Sequence, residues 1–134
     1  MTQEKRQEII EYFQMDRFAT QATGIVIDEL EDDYVKCSVK LDDRHRNAIG
    51  HVMGGVIYTL ADFVFAVASN SRTPMTVTVV SQISYLSAPK GSVLYGASRM
   101  IKDGRRNCFY EVDITDDLGT QVARVSISGT HLNG

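Results

Sequence analysis

The stretch Gly50–Phe63, GHVMGGVIYTLADF, decides how the rest of the chain reads. Two adjacent glycines, Gly54 and Gly55, open an apolar run that is interrupted once, by Asp62. Between Asn47 and Ser71 no other residue carries a formal charge, and apolar side chains fall on nearly every face of a helix drawn through the segment. A helix that is apolar all round has to be covered all round. A membrane would cover it, but Asp62 stands near the middle of the run, where a charge costs about 2.5–3.5 kcal/mol. The flanks are also soluble strand patterns. The remaining solution is one long central helix wrapped by a strongly curved antiparallel sheet, an α+β fold.

The flanking segments supply that sheet. YVKCSVKL sets Val35, Cys37, Val39 and Leu41 on one face and Tyr34, Lys36, Ser38 and Lys40 on the other, the alternation of a half-buried strand. GIVIDEL before it, joined through Glu31, Asp32 and Asp33, makes the pair a hairpin. Four strand signals follow the helix: MTVTVVSQISYL, SVLYGASRMI, NCFYEVDIT and TQVARVSISGT. In the third, Cys108, Tyr110, Val112 and Ile114 share a face; in the last, Ala123, Val125 and Ile127 alternate with Arg124, Ser126 and Ser128. The turns KDGRR and DDLG carry the signals of tight connections, so these strands are expected as antiparallel neighbours. At the start, Gln3 to Met15 spaces Ile9, Ile10 and Phe13 as the apolar stripe of a short surface helix. No repeat, low-complexity tract or linker divides the chain, which reads as one domain over 1–134.

Composition narrows the function. A 134-residue chain with 43% hydrophobic and 23% charged residues holds one sizeable core. Its net charge of −3 lacks the basic footprint of a nucleic-acid binder. The N-terminal MTQEKRQEII mixes acids, bases and glutamines where a signal peptide would have a basic patch and an apolar region. Cys37 and Cys108 each lie in a strand pattern without CxxC spacing, which favours reduced structural thiols over a disulfide or a metal site. Together these features point to the cytoplasm, with neither nucleic acid nor membrane as a partner.

The glycines and the aspartate have two readings each. First-turn N–H groups have no intrahelical partners and the helix dipole favours negative charge there, so a Gly54 N–H at the helix start can face an oxygen that becomes negative during a reaction. The same pair also permits tight packing where loop meets helix. Asp62 among apolar walls would have its ionised form disfavoured and its basicity raised, as a general base requires; it would serve equally as a buried carboxylate bonded to a strand. Eight residues at 1.5 Å rise put Asp62 about 12 Å beyond Gly54 along the axis. If both act on one atom, the aspartate comes from a second, antiparallel copy of the helix, and the protein is a dimer with two composite sites.

The residues HRNAIGHVMGGVIYTLAD, His45 to Asp62, resemble the central signature of hotdog-fold acyl-CoA thioesterases of the phenylacetic-acid-degradation type, which reads His-x-Asn-x-x-Gly-x-x-His-Gly-Gly followed by a helix bearing Leu-Ala-Asp. FATQATGIVI, ISYLSAPKGSVLYGAS and GRRNCFYEVDITDDLGTQVARVS fall in the family's order, so the resemblance covers nearly the whole chain. It implies a hotdog fold with a short N-terminal helix, hydrolysis of an acyl-CoA thioester at a subunit interface, a dimer or dimer of dimers, and no cofactor beyond the coenzyme A of the substrate. Carried over by position, it implies Asp62 as base or nucleophile and the Gly54 N–H as polariser of the thioester carbonyl. Asn47 and Gly50 match the loop that shapes the site, with Gly55 beside it, and Asn70 matches an asparagine of some members, although a helix C-terminal role suits it equally.

Met53 is the departure. The family usually has histidine there, and methionine donates no hydrogen bond. His51, two residues earlier, points elsewhere in an extended chain. The hydratase branch of the fold sets a histidine five residues after the aspartate, where this chain has Val67. Lys90, Arg105, and Arg106 beside turns are the cations available for coenzyme A phosphates, Arg72 reading as surface. Met75 to Val80, with Tyr58, Phe63 and Phe65, would line an acyl tunnel, or serve as ordinary core. The different-class alternative is a non-catalytic acyl-CoA or lipid-binding hotdog protein with a regulatory role, which Met53 keeps open.

Overall fold

The computed structural model describes residues 1–133. Helix α1 (Gln3–Phe13) starts where the Thr2 hydroxyl accepts the Lys5 N–H at 3.1 Å. Ile9 and Phe13, one turn apart, are its buried residues; the helix ends two residues before Met15. A π-helical turn (Phe18–Thr23), which no sequence pattern announced, leads to the hairpin of β1 (Val26–Glu31) and β2 (Tyr34–Lys40). A loop carrying a short 3₁₀ turn then enters helix α2 (Gly54–Arg72), followed by β3 (Thr76–Tyr85), β4 (Val93–Asp103), β5 (Asn107–Asp116) and β6 (Gln121–His131). The six strands form one antiparallel sheet in the order β1-β2-β4-β5-β6-β3.

The expectation of consecutive antiparallel neighbours holds for β4, β5 and β6 and fails for β3, which pairs with β6 at the sheet's edge. Tight turns join β4 to β5 and β5 to β6. The β3–β4 link instead contains SAPKG and is pinned from outside: the Asp116 carboxylate accepts the N–H groups of Lys90 and Gly91 at 2.8 and 2.9 Å. That link is a crossover, so β3 takes the far edge.

Helix α2 lies across the concave face. Leu60, Val64, Phe65 and Val67 are buried against a wall that includes Val39, Leu94, Val112 and Val125. Each fully buried side chain of this size contributes about 1.5–3 kcal/mol. Phe65 meets Tyr110 edge-to-face with centroids 5.5 Å apart, and Phe63 meets Phe13 at 5.9 Å, which docks α1 on α2.

Coverage of α2 is incomplete, contrary to what its composition demands. Gly55 and Asp62 are exposed, and Thr59 and Ala66 between and beyond them are half-buried. The four lie within one stripe at helical spacing. β3 is likewise open: Val77, Val79, Val80 and Tyr85 are exposed on a ten-residue edge strand, a length and character that invites pairing with another chain. The run Met75 to Val80 therefore lines no tunnel within one protomer. No helix among the described residues is long and apolar enough to cross a membrane.

Candidate active site

The loop before α2 is built from inside out. His45 is buried; its Nδ1 accepts the Asp42 N–H at 3.0 Å, which leaves Nε2 protonated to donate to Thr23 C=O at 2.7 Å. Its own carbonyl accepts the Met53 N–H at 2.9 Å and so sets where the helix begins. Asn47 closes the turn, its Oδ1 accepting the N–H groups of Ile49 and His51 at 3.2 and 3.0 Å. Gly50 adopts φ +83°, a left-handed backbone that few other residues tolerate.

Met53 is the N-cap and forms no side-chain cap. Among the described residues nothing accepts the N–H of Gly54 or Gly55, so the positive end of α2 is uncapped. A cleft of about 470 Å³ opens beside it, bounded by Asn47, Gly50, Gly54, Ile57, Tyr85 and Pro89. The Tyr85 hydroxyl donates to Gly54 C=O at 2.9 Å. Lys90 follows this wall and is exposed.

Asp62 stands elsewhere. It borders a separate depression of about 260 Å³ with Asp16, Arg17, Phe18, Ala19, Thr59, Phe63 and Ala66. Its carboxylate has no hydrogen bond or ion pair among the described residues. Although the residue is exposed, the atoms crowding its carboxyl raise the pKa, and the Asp16 charge raises it further. The strand and helix patterns carry no sign of Asp16; it lies just after α1, whose Phe13 packs on Phe63 of α2.

The remaining sequence candidates separate. Tyr58 shares a hydrogen bond with Ser81 of β3. Phe63 is core but borders the Asp62 depression, whereas Phe65 turns inward. Asn70 is bound on both sides of its amide, accepting Thr76 N–H at 2.9 Å and donating to Thr76 C=O at 3.1 Å, which is a structural tie between α2 and β3. Arg105 and Arg106 lie in the β4–β5 turn at the C-terminal end of α2, so one protomer does not bring them to Gly54. Arg72 pairs with Asp103 at 3.1 Å.

Asp103, Cys108 and His131 place their ligand-type atoms within 4.8 Å of one another. The His131 Nε2 is on Asp103 at 2.8 Å, its Nδ1 is on the Thr76 hydroxyl at 2.6 Å, and Arg72 holds the other Asp103 oxygen. Asp103 and His131 thus form a hydrogen-bond network with Thr76 and Arg72, and the Cys108 thiol lies beside it. Burial, and then nearby carboxylates, pushes up both thiols, Cys37 and Cys108, and keeps them protonated.

The model of the thioesterase superfamily matches residues 49–123, more than half of the chain. The chain belongs to the thioesterase superfamily. It is thus a thioester hydrolase by family, with the hotdog architecture. The Escherichia coli PaaI protein of the phenylacetic acid degradation operon superposes with a TM-score of 0.88 at 20% identity, over 98% of this chain and 96% of that one. A hypothetical thioesterase of Streptococcus pneumoniae, solved with coenzyme A, superposes with a TM-score of 0.80 at 26% identity, over 88% of this chain and 94% of that one. Human acyl-coenzyme A thioesterase 13 is 29% identical over 119 residues, 87% of this chain and 85% of the relative. A putative esterase of Archaeoglobus fulgidus is 27% identical over 96 residues, 71% of this chain, and the match spans only 62% of the relative's length.

Proposed function

We propose that this thioesterase hydrolyses acyl-CoA thioesters as a homodimer, with Asp62 of one protomer and the Gly54 N–H of its partner acting on one thioester. The observation that carries the reading is the separation of the two groups within a protomer. Gly54 opens one cleft, and Asp62 lies about two helical turns away in another depression. The uncovered stripe of α2 and the open edge of β3 are the surfaces through which a two-fold copy would bring them together. The coenzyme A held by the Streptococcus relative supports the substrate class.

In the water route, Asp62 takes a proton from water as the water oxygen bonds to the thioester carbon. The carbonyl oxygen becomes negative beside the Gly54 N–H. The C–S bond then breaks, and the thiolate of coenzyme A leaves and is protonated. In the nucleophilic route, the Asp62 carboxylate attacks that carbon, coenzyme A leaves, and water hydrolyses the resulting anhydride. Asn47 shapes the loop, Met53 and Gly55 flank the carbonyl, and Tyr58, Phe63 and Asn70 support the acyl side. Lys90 of one protomer with Arg105 and Arg106 supplies cations for the phosphates.

Thiol release from short, medium, long and aromatic acyl-CoA compounds tests the reading. Asp62→Asn should lower turnover by about two or more orders of magnitude while the dimer persists. Undiminished hydrolysis in that variant rejects the assignment; saturable binding without thiol release in the parent returns the protein to the non-catalytic binder.

A further inference from the structure

A glycine pair is a poor support for a catalytic donor. Glycine has the widest backbone freedom of any residue, and Met53 offers no side-chain bond to steady the first turn of α2. Yet a donor at an oxyanion site is effective only when fixed beforehand, so that nothing reorganises as charge develops.

Tyr85, the last residue of β3, reaches this turn from the strand. Its hydroxyl donates to Gly54 C=O at 2.9 Å. That carbonyl shares a peptide unit with the Gly55 N–H, so a donor on the oxygen fixes the plane and polarises the N–H. The ring is equally close: a Cβ on residue 54 would meet Tyr85 Oη at 3.0 Å and Cζ at 3.2 Å. Tyrosine thus takes the space a side chain would occupy at position 54. The strand it works from is anchored to α2 at two further points, Ser81 on Tyr58 and Thr76 on Asn70.

We propose that Tyr85 is the positioning residue of the oxyanion donor, pinning with its hydroxyl and ring the Gly54–Gly55 peptide and so the residue that carries the Gly54 N–H. This rests on the reading of the Gly54 N–H as the oxyanion donor. Because the pin touches the enzyme's own backbone, its loss weakens interactions that grow in the transition state and leaves ground-state binding nearly as it was.

Tyr85→Phe keeps the ring and removes the hydroxyl from a residue that is 53% exposed, so the fold is retained. The expected result is a fall in kcat of about three- to tenfold with KM within about twofold. In the same variant the Gly55 amide proton should move upfield and exchange faster in ¹⁵N-resolved NMR. Gly54→Ala pushes on the same contact from the other side, so the double variant should be no slower than the worse single. Parental kcat, a raised KM at unchanged kcat, unmoved Gly54 and Gly55 amides, or additive losses would each overturn the proposal. The amide measurement needs no activity; if Asp62→Asn hydrolyses like the parent while the amides move as expected, the active-site assignment has failed and the pin has not.

Discussion

Two variants, each inactive alone, should make a partly active enzyme when their subunits mix. Asp62→Asn removes the proposed base. Gly54→Pro removes the opposite member, because proline has no N–H, and the site suits it: the first residue of a helix donates no intrahelical bond. Met53 before it already has φ −64° and ψ 134°, the extended backbone a following proline requires. The proline Cβ would still meet Tyr85, 3.0 Å from Oη, which adds to the damage at the cleft. Each homodimer then lacks one member in both of its sites, and each should lose about two to three orders of magnitude in turnover. In a heterodimer, Asp62 of one subunit meets Gly54 of the other at one intact site, while the second site lacks both. Unfolding equal amounts together and refolding them gives half heterodimers with half their sites intact, so turnover per subunit should return to about one quarter of the parent. Heterodimers purified through two different tags should show about one half. Thiol release against a single acyl-CoA measures both, and native mass spectrometry counts the heterodimers. A mixture that holds heterodimers and stays at the floor of the single variants refutes the composite site.

Asp62 has its pKa raised by burial and then by Asp16, so a base at this position is lost as pH falls through a value above that of an ordinary aspartate; Asp16→Asn should move the acid limb of kcat against pH downward, and an unmoved limb refutes the coupling. The same shift means that ionised Asp62 weakens the fold above its unfolded-state pKa, so Asp62→Asn should raise the thermal midpoint at pH 7 and lose that advantage in acid. Asp116 goes the other way: burial pushes it up, but the N–H groups of Gly91, Lys90 and Thr120 hold it well below the usual carboxylate range. Its contribution is present above the unfolded-state pKa and disappears as pH falls through the folded one. Asp116→Ala should cost about 1–3 kcal/mol in urea titration at pH 7, and less in strong acid; equal cost at both would refute this. On the open edge, Val79→Lys puts a charge on the exposed apolar strand through which the proposed dimer would form and should weaken that dimer tenfold or more, with activity falling in step during sedimentation and thiol-release measurements.

Alternation made the inward faces of β5 and β6 legible: Cys108, Tyr110, Val112 and Ile114, and Ala123, Val125 and Ile127, are all buried. The start of α2 at the glycine pair was legible as well, because a polar loop gives way there to an unbroken apolar run. Strand order was not. Period-two patterning says which side of a strand faces inward and nothing about its neighbour, so the crossover that carries β3 to the edge beside β6 left no local trace. Tyr85 and Asp16 escaped for a related reason. Each earns its place through a contact between distant parts of the chain, Tyr85 reaching Gly54 over 31 residues, and no periodicity marks such pairs.

Two further differences concern environment rather than position. The apolar run around Asp62 predicts a carboxylate within apolar walls, and the residue stands at the surface of the protomer, its basicity raised by only part of a wall. MTVTVV, Met75 to Val80, reads as a tunnel wall or as ordinary core, and all of it but Thr76 is exposed along the sheet's edge. Both segments have the composition of buried structure and only one side of the burial. An apolar face that folding leaves open is stabilised by whatever next covers it. A second copy turned about a two-fold axis would complete the sheet along β3, close the stripe from Gly55 to Ala66, and further desolvate Asp62, pushing its pKa beyond what the protomer alone achieves. The acid limb of the reaction should therefore lie at higher pH than the Asp62 titration measured by carboxyl NMR in a monomeric Val79→Lys variant. Coincidence of the two would show that the partner contributes nothing to the base.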